Sequence, residues 1–159
     1  MKTLVVYDSR YGNTKAIAQA VGGALRGDVQ ILHVGQVNAA DLEAADLLII
    51  GSPTHGALPT AAIQHLLEKI GPPARQGAQV ATFDTRLSWG FLERWGGFAA
   101  PKMADTLRAK GWTLAGAPEG FIVKGLRKGP LKQGETDRAA AWAERLVESQ
   151  TAVERAHRQ

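Results

Sequence analysis

The stretch Leu4-Val-Val-Tyr-Asp-Ser-Arg-Tyr-Gly-Asn-Thr14 decides how the chain is read. Leu4 to Tyr7 is a β-rich apolar run. Gly12-Asn13-Thr14 breaks it, and Thr14 is a candidate helix cap. Ile17, Val21 and Leu25 then recur every four residues, a helical stripe. A strand that turns through Ser9-Arg-Tyr-Gly-Asn-Thr14 directly into a helix aims backbone amides and a helix N-terminus at one spot. Such a spot attracts anions. Gly12 lets the backbone approach a phosphate, and Ser9 and Thr14 add hydroxyls. The GxxxxGK[ST] spacing is absent here and no GxGxxG follows any strand, so neither fingerprint applies.

Outward from this stretch, the alternation of strand and helix repeats. Val29 to Val34 reads as a second strand and Ala39 to Ala44 as a short helix. Leu47-Leu-Ile-Ile50 is a continuous apolar run, as a sheet covered on both faces requires. Thr60 caps a helix whose Ile63, Leu66, Leu67 and Ile70 fall at i, i+3, i+4, i+7. Gln79 to Phe83 is the fourth strand, with a loop from Asp84 to about Gly97. A helix follows to about Lys110. Trp112 to Ala115 and Phe121 to Lys124 read as one last strand in two pieces. Glu135 to Ser149 is the final helix, with Trp142 and Leu146 buried, and residues 150–159 form a polar tail after a domain of residues 1–149. Five β/α pairs in this rhythm mean an α/β fold with a parallel sheet and helices on both faces. Ligands of such sheets sit beyond the carboxyl ends of the strands. Three loops lie there: 8–14, 51–60 and 84–97.

Composition narrows the function. The 159 residues suit one domain, and the charged fraction of 21% is ordinary for a globular chain. No apolar run approaches the length of a membrane span, and the first residues do not fit a signal peptide. No cysteine is present, which excludes disulfides, thiolate nucleophiles and cysteine-ligated metals and suits the cytoplasm. The histidines show no metal-ligand spacing. The net charge of +4 arises in the second half: residues 1–80 hold six Lys/Arg and six Asp/Glu. Lys124, Arg127, Lys128 and Lys132 cluster without an acid, either as a solvated loop or as a docking patch for an acidic partner. Interleaved aromatics and nucleic-acid motifs are absent, so nucleic acid is not expected. No paired-carboxylate, Ser/His/Asp or Cys/His arrangement marks a catalytic centre.

Ser9-x-x-Gly12-Asn13-Thr14 after a first strand resembles the phosphate loop of flavodoxins. Gly51-Ser-Pro-Thr-His-Gly56 with Pro59 resembles the flavodoxin loop against the flavin ring, and Phe83-Asp-Thr-Arg-Leu87 the loop on the ring's other side. Gly129-Pro-Leu-Lys-Gln-Gly-Glu135 leading to Trp142 is also similar to that family, so the resemblance runs from Lys2 to about Val147. It implies a flavodoxin-like, doubly wound, five-stranded sheet of order 2-1-3-4-5 and non-covalently bound FMN. Ser9, Arg10, Tyr11, Gly12, Asn13 and Thr14 would hold the phosphate. Pro53, Thr54, His55, Gly56 and Ala57 would line one side of the flavin, and Asp84, Thr85, Arg86, Leu87 and Trp89 the other. The peptide after His55, or the next one, would face flavin N5, where glycine makes a peptide turn easy. The implied function is a single-electron carrier between redox proteins. Two alternatives stand beside it: an FMN-dependent NAD(P)H/quinone-type oxidoreductase, and a cofactor-free domain that only binds a partner. A signalling receiver domain would need an acidic phospho-acceptor after strand three, and Ser52-Pro53-Thr54 occupies that place. The basic balance departs from acidic flavodoxins. It implies partners with acidic docking surfaces and, through Arg10, Arg86 and Arg94, a less negative reduction potential. Oligomeric state is open at this level.

Overall fold

The computed structural model describes residues 1–88, 97–125 and 129–158. The element order is β1 (Lys2–Tyr7), α1 (Asn13–Ala24), β2 (Asp28–His33), a 3-10 turn (Val34–Gln36), α2 (Ala39–Ala44), β3 (Leu47–Pro53), α3 (Ala61–Lys69), β4 (Gln79–Leu87), α4 (Ala99–Ala109), β5 (Thr113–Leu114), β6 (Glu119–Val123) and α5 (Glu135–His157). The sheet order is β2-β1-β3-β4-β5, and β6 also pairs with β4. Every pairing is parallel. The last sheet position is thus shared by two short strands, with β5 beside Gln79–Val80 and β6 beside Phe83–Leu87.

Strand residues alternate between two cores because successive side chains point to opposite faces. Leu4, Val6, Leu48, Ile50 and Val80 pack with Ile63, Leu66 and Leu67 of α3, and with Met103 and Leu107 of α4. Trp112 completes that core, its indole N–H donating to the Gly71 carbonyl at 2.9 Å. Val5, Tyr7, Ile49, Ala81 and Phe83 pack on the other face with Ile17 and Val21 of α1 and Trp142 and Leu146 of α5. Phe83, Phe121 and Trp142 meet edge to face there, with centroids 6.0–6.1 Å apart. The continuous apolar run of β3 has its reason: it is central and buried from Leu47 to Pro53.

Side chains supply several helix starts. Asn38 and Asp41 form a reciprocal capping box on α2. The Thr60 hydroxyl accepts the Ile63 N–H of α3. Thr14 does not cap α1; the N-cap is Gly12, at φ 95°, with no side-chain cap bond. Thr14 lies inside the first turn, and its buried hydroxyl meets that of Thr85 at 2.8 Å. Two boundaries also differ from expectation. β4 runs to Leu87, because β6 pairs residues 83–87 and keeps them extended. The last helix continues to His157, since residues 150–156 contain no glycine or proline to stop it.

Candidate functional site

The carboxyl ends of β1, β3, β4 and β6 converge on a pocket of about 290 Å³. It is lined by Ser9, Arg10, Tyr11, Asn13, Thr14, Pro53, Thr54, His55, Thr85, Arg86, Leu87, Val123 and Gly125.

The first wall is the β1–α1 loop. The Ser9 hydroxyl accepts the Gly12 N–H at 3.0 Å, which closes the loop. Gly12 needs its left-handed backbone to do this, and a side chain there would be strained. The Asp8 carboxylate anchors the loop base, accepting the Ser9 N–H at 2.9 Å. His33 Nε2 donates to the same carboxylate at 3.2 Å while Nδ1 accepts the Gly35 N–H. His33 is therefore structural. The first N–H groups of α1 have no intrahelical partner, and its first turn carries no acid. That donor set, with the dipole, suits a phosphate. Asn13 Nδ2 donates to the Gly129 carbonyl at 2.7 Å and so ties this wall to the segment after β6.

The second wall leaves β3. His55 and Leu58 exchange N–H···O bonds of 2.9 and 3.0 Å across Gly56 and Ala57. This is a two-residue hairpin loop with both central residues at positive φ, 55° and 66°. Ala57 is the non-glycine residue in that region among those described. A left-handed backbone at a β-branched residue is strained by about 1–3 kcal/mol. Ala57→Val is therefore expected to lower stability by about 1–2 kcal/mol, while Ala57→Gly is tolerated; urea denaturation of both variants checks this. Burial first, and the Arg10 charge second, hold the His55 imidazole below its ordinary pKa. Both effects favour the uncharged form of the ring, which lines the pocket.

The third wall is the end of β4. Thr85 faces α1 through Thr14. Asp84 and Arg86 point to the opposite face and form a bidentate pair: Nε to Oδ1 at 2.6 Å and Nη2 to Oδ2 at 2.8 Å. Asp84 is fully buried. It also accepts the Ala100 N–H at 2.8 Å, while Thr54 Oγ1 accepts the Ala99 N–H at 3.0 Å. The N-terminus of α4 is thereby capped by residues of β4 and the second wall, not by its own N-cap Phe98. Burial pushes the Asp84 carboxyl up, opposed by the Arg86 guanidinium and the Ala100 amide.

Most of the expected residues are thus brought together. Gly12, Gly56 and Ala57 shape the walls without lining the pocket, and Asp84 lies beneath it as a helix cap and ion-pair partner. Trp89 and Arg94 lie outside the described residues, as do Arg127 and Lys128 of the basic cluster. Val123 and Gly125 were not anticipated. The same rule that selected the other loops, ligands beyond the carboxyl ends of strands, finds them when applied to β6. Among the described residues no cluster suits a metal ion, and no helix is long and apolar enough to cross a membrane.

A parallel sheet of this order, with an anion cradle at the first strand and flat walls from the third and fourth, defines a flavodoxin-like α/β protein. A family model described as a flavodoxin domain matches residues 4–83. The chain belongs to that family, and membership implies a flavin site. A flavodoxin of Aquifex aeolicus (strain VF5) is 41% identical over 61 residues, 36% of this chain and 33% of the relative. The matched part thus spans about a third of that relative's length. Among solved structures, one described as a flavodoxin from the domain Archaea superposes with a TM-score of 0.77 at 23% identity, covering 95% of this chain and 99% of the other. Oxidised flavodoxin 1 from Bacillus cereus gives 0.75 at 16% identity, covering 93% and 98%. The rubredoxin oxygen:oxidoreductase of Desulfovibrio gigas gives 0.74 at 18%, covering 95% of this chain and 36% of that larger one. At these identities the likenesses speak for the fold.

Proposed function

We propose that the chain binds FMN in this pocket and carries electrons between redox proteins. The observation that carries the reading is the convergence of an acid-free helix start, Gly12 at φ 95° and the His55, Pro53 and Leu87 walls on one cavity. The α1 amides with Ser9 and Asn13 would hold the phosphate. His55 and Tyr11 would lie against the ring system, with the Gly56–Ala57 turn beside them. When bound, FMN supplies the redox chemistry; the protein binds it, orients it and sets its polarity.

The acidic-partner reading also belongs here. Arg10 and Lys15 stand exposed at the phosphate loop and Lys124 just beyond β6, while Asp8 and Asp84 are each bonded internally. The rim therefore presents positive charge, and an acidic redox protein would be steered to it. Tyr11 and Leu58, 43% and 46% exposed, add apolar contact beside the charges.

A carrier and an enzyme differ in who reduces the flavin. FMN-loaded protein is expected to be reduced quickly by a flavoprotein reductase and slowly by NAD(P)H alone. Transfer to an acidic acceptor protein should slow as salt rises, because exposed charges are screened over about 8–10 Å near physiological ionic strength. Rapid reduction by NAD(P)H alone would favour the oxidoreductase reading instead.

A further inference from the structure

The Arg86 guanidinium is held on three sides. Asp84 takes its Nε and Nη2 edge. The Phe98 ring lies 3.7 Å from Cζ. Gly120 of β6 lies close against it, since a Cβ there would come within 2.2 Å of Cζ and Nε. Glycine at position 120 is thus a requirement of the Arg86 placement. The side chain keeps 18% exposure and lines the pocket. Among the described residues Nη1 has no hydrogen-bond partner. A long flexible side chain that lines the pocket has been fixed, at considerable entropic cost, with its Nη1 donors not engaged among the described residues.

The chemistry of the pair indicates its ligand. Asp84 already neutralises Arg86, so the pair offers directional donors without net charge. A phosphate would compete with Asp84 and has its own cradle at α1. Thr85 marks that cradle through Thr14, and Arg86, next along β4, points to the opposite face of the sheet. The fork that matches a carboxylate or phosphate is already filled by Asp84, so the remaining Nη1 donors suit a planar, uncharged carbonyl acceptor. We propose that Arg86, held by Asp84, Phe98 and Gly120, is a specificity residue that recognises the carbonyl-bearing pyrimidine end of the flavin ring through Nη1, and does not bind the phosphate. This rests on the flavin reading above. On this reading Arg86 acts through donated hydrogen bonds more than as a bare charge, while Arg10, which also lines the pocket, has no ion-pair partner among the described residues.

The test is nuclear magnetic resonance of the protein loaded with 13C-labelled FMN, with the 31P signal as a second probe. Arg86→Lys keeps the charge opposite Asp84 and loses the fork. The double variant Asp84→Asn/Arg86→Gln removes the buried charge together with its partner, and so avoids an uncompensated ion. In both, the pyrimidine carbonyl resonances are expected to shift, with the methyl carbons of the far ring and the 31P signal unmoved. FMN and riboflavin should each bind about tenfold more weakly, by the same factor, as loss of a charge-assisted hydrogen bond gives. A moved 31P signal, or weaker binding of FMN with riboflavin unaffected, would assign Arg86 to the phosphate and overturn the proposal. Shifts at both ends of the ring together would show general loosening of the pocket, and no shift at all would show no contact; either overturns it as well. Failure of the wild type to bind FMN or riboflavin would instead remove the flavin reading itself.

Discussion

Asp84→Ala is expected to lower stability by about 3–5 kcal/mol, the cost of removing one partner of a buried, hydrogen-bonded ion pair. Three losses coincide. The Arg86 guanidinium stays between Phe98 and Gly120 without its carboxylate. The Ala100 N–H at the start of α4 loses its acceptor. A void opens at a position with no solvent exposure. Asp84→Asn is expected to cost less, because the amide oxygen can still accept from Ala100 while only the charge is lost. Guanidinium denaturation of both variants at pH 7 checks the order. A loss below about 1 kcal/mol for the alanine variant would match an exposed pair and contradict the account of Asp84 as a buried anchor.

Gly51→Ala carries the second large effect. A Cβ at Gly51 would meet the Phe83 ring at 2.0 Å. Phe83 has no room to retreat, being fully buried and packed edge to face against Phe121 and Trp142. Overpacking of this kind costs about 1–3 kcal/mol, occasionally more. The shift would reach the site, since the Gly51 carbonyl accepts the Asp8 N–H at 3.1 Å and Ser52 to His55 follow directly. Weaker FMN binding should therefore accompany the lost stability. Gly23→Ala is the control. It lies on α1 with nothing within 4 Å of the added Cβ, and is expected to stabilise by about 0.5–1 kcal/mol as a helical Gly→Ala change. A neutral Gly51→Ala would mean that the Phe83 cluster can repack.

Much of this was legible in the residues because one periodic signal governs it. The apolar run 47–50 announces a strand covered on both faces, and the stripe Ile63, Leu66, Leu67 and Ile70 announces α3. Periodicity and the rule that ligands sit beyond the carboxyl ends of the strands pointed to the three site loops, whereas strand order and the roles of those loops were implied by their resemblance to flavodoxins. What stayed hidden depends on partners distant in sequence. Thr14 reads as a cap until Thr85 is seen opposite its hydroxyl. Asp84 reads as a loop acid until β6 extends β4 to Leu87 and α4 brings Ala100 to its carboxylate. Val123 and Gly125 join the pocket because the last sheet position is split between β5 and β6. The length of α5 was missed for a different reason: its last turns are polar and exposed, so no apolar stripe marks them.

The most direct test of the central claim is the visible absorbance spectrum of the pure protein after incubation with FMN and gel filtration. The account predicts that the two visible flavin bands co-elute with the protein in a one-to-one ratio. A colourless protein, with all FMN in the small-molecule fractions, would contradict it and leave the fold as a partner-binding domain.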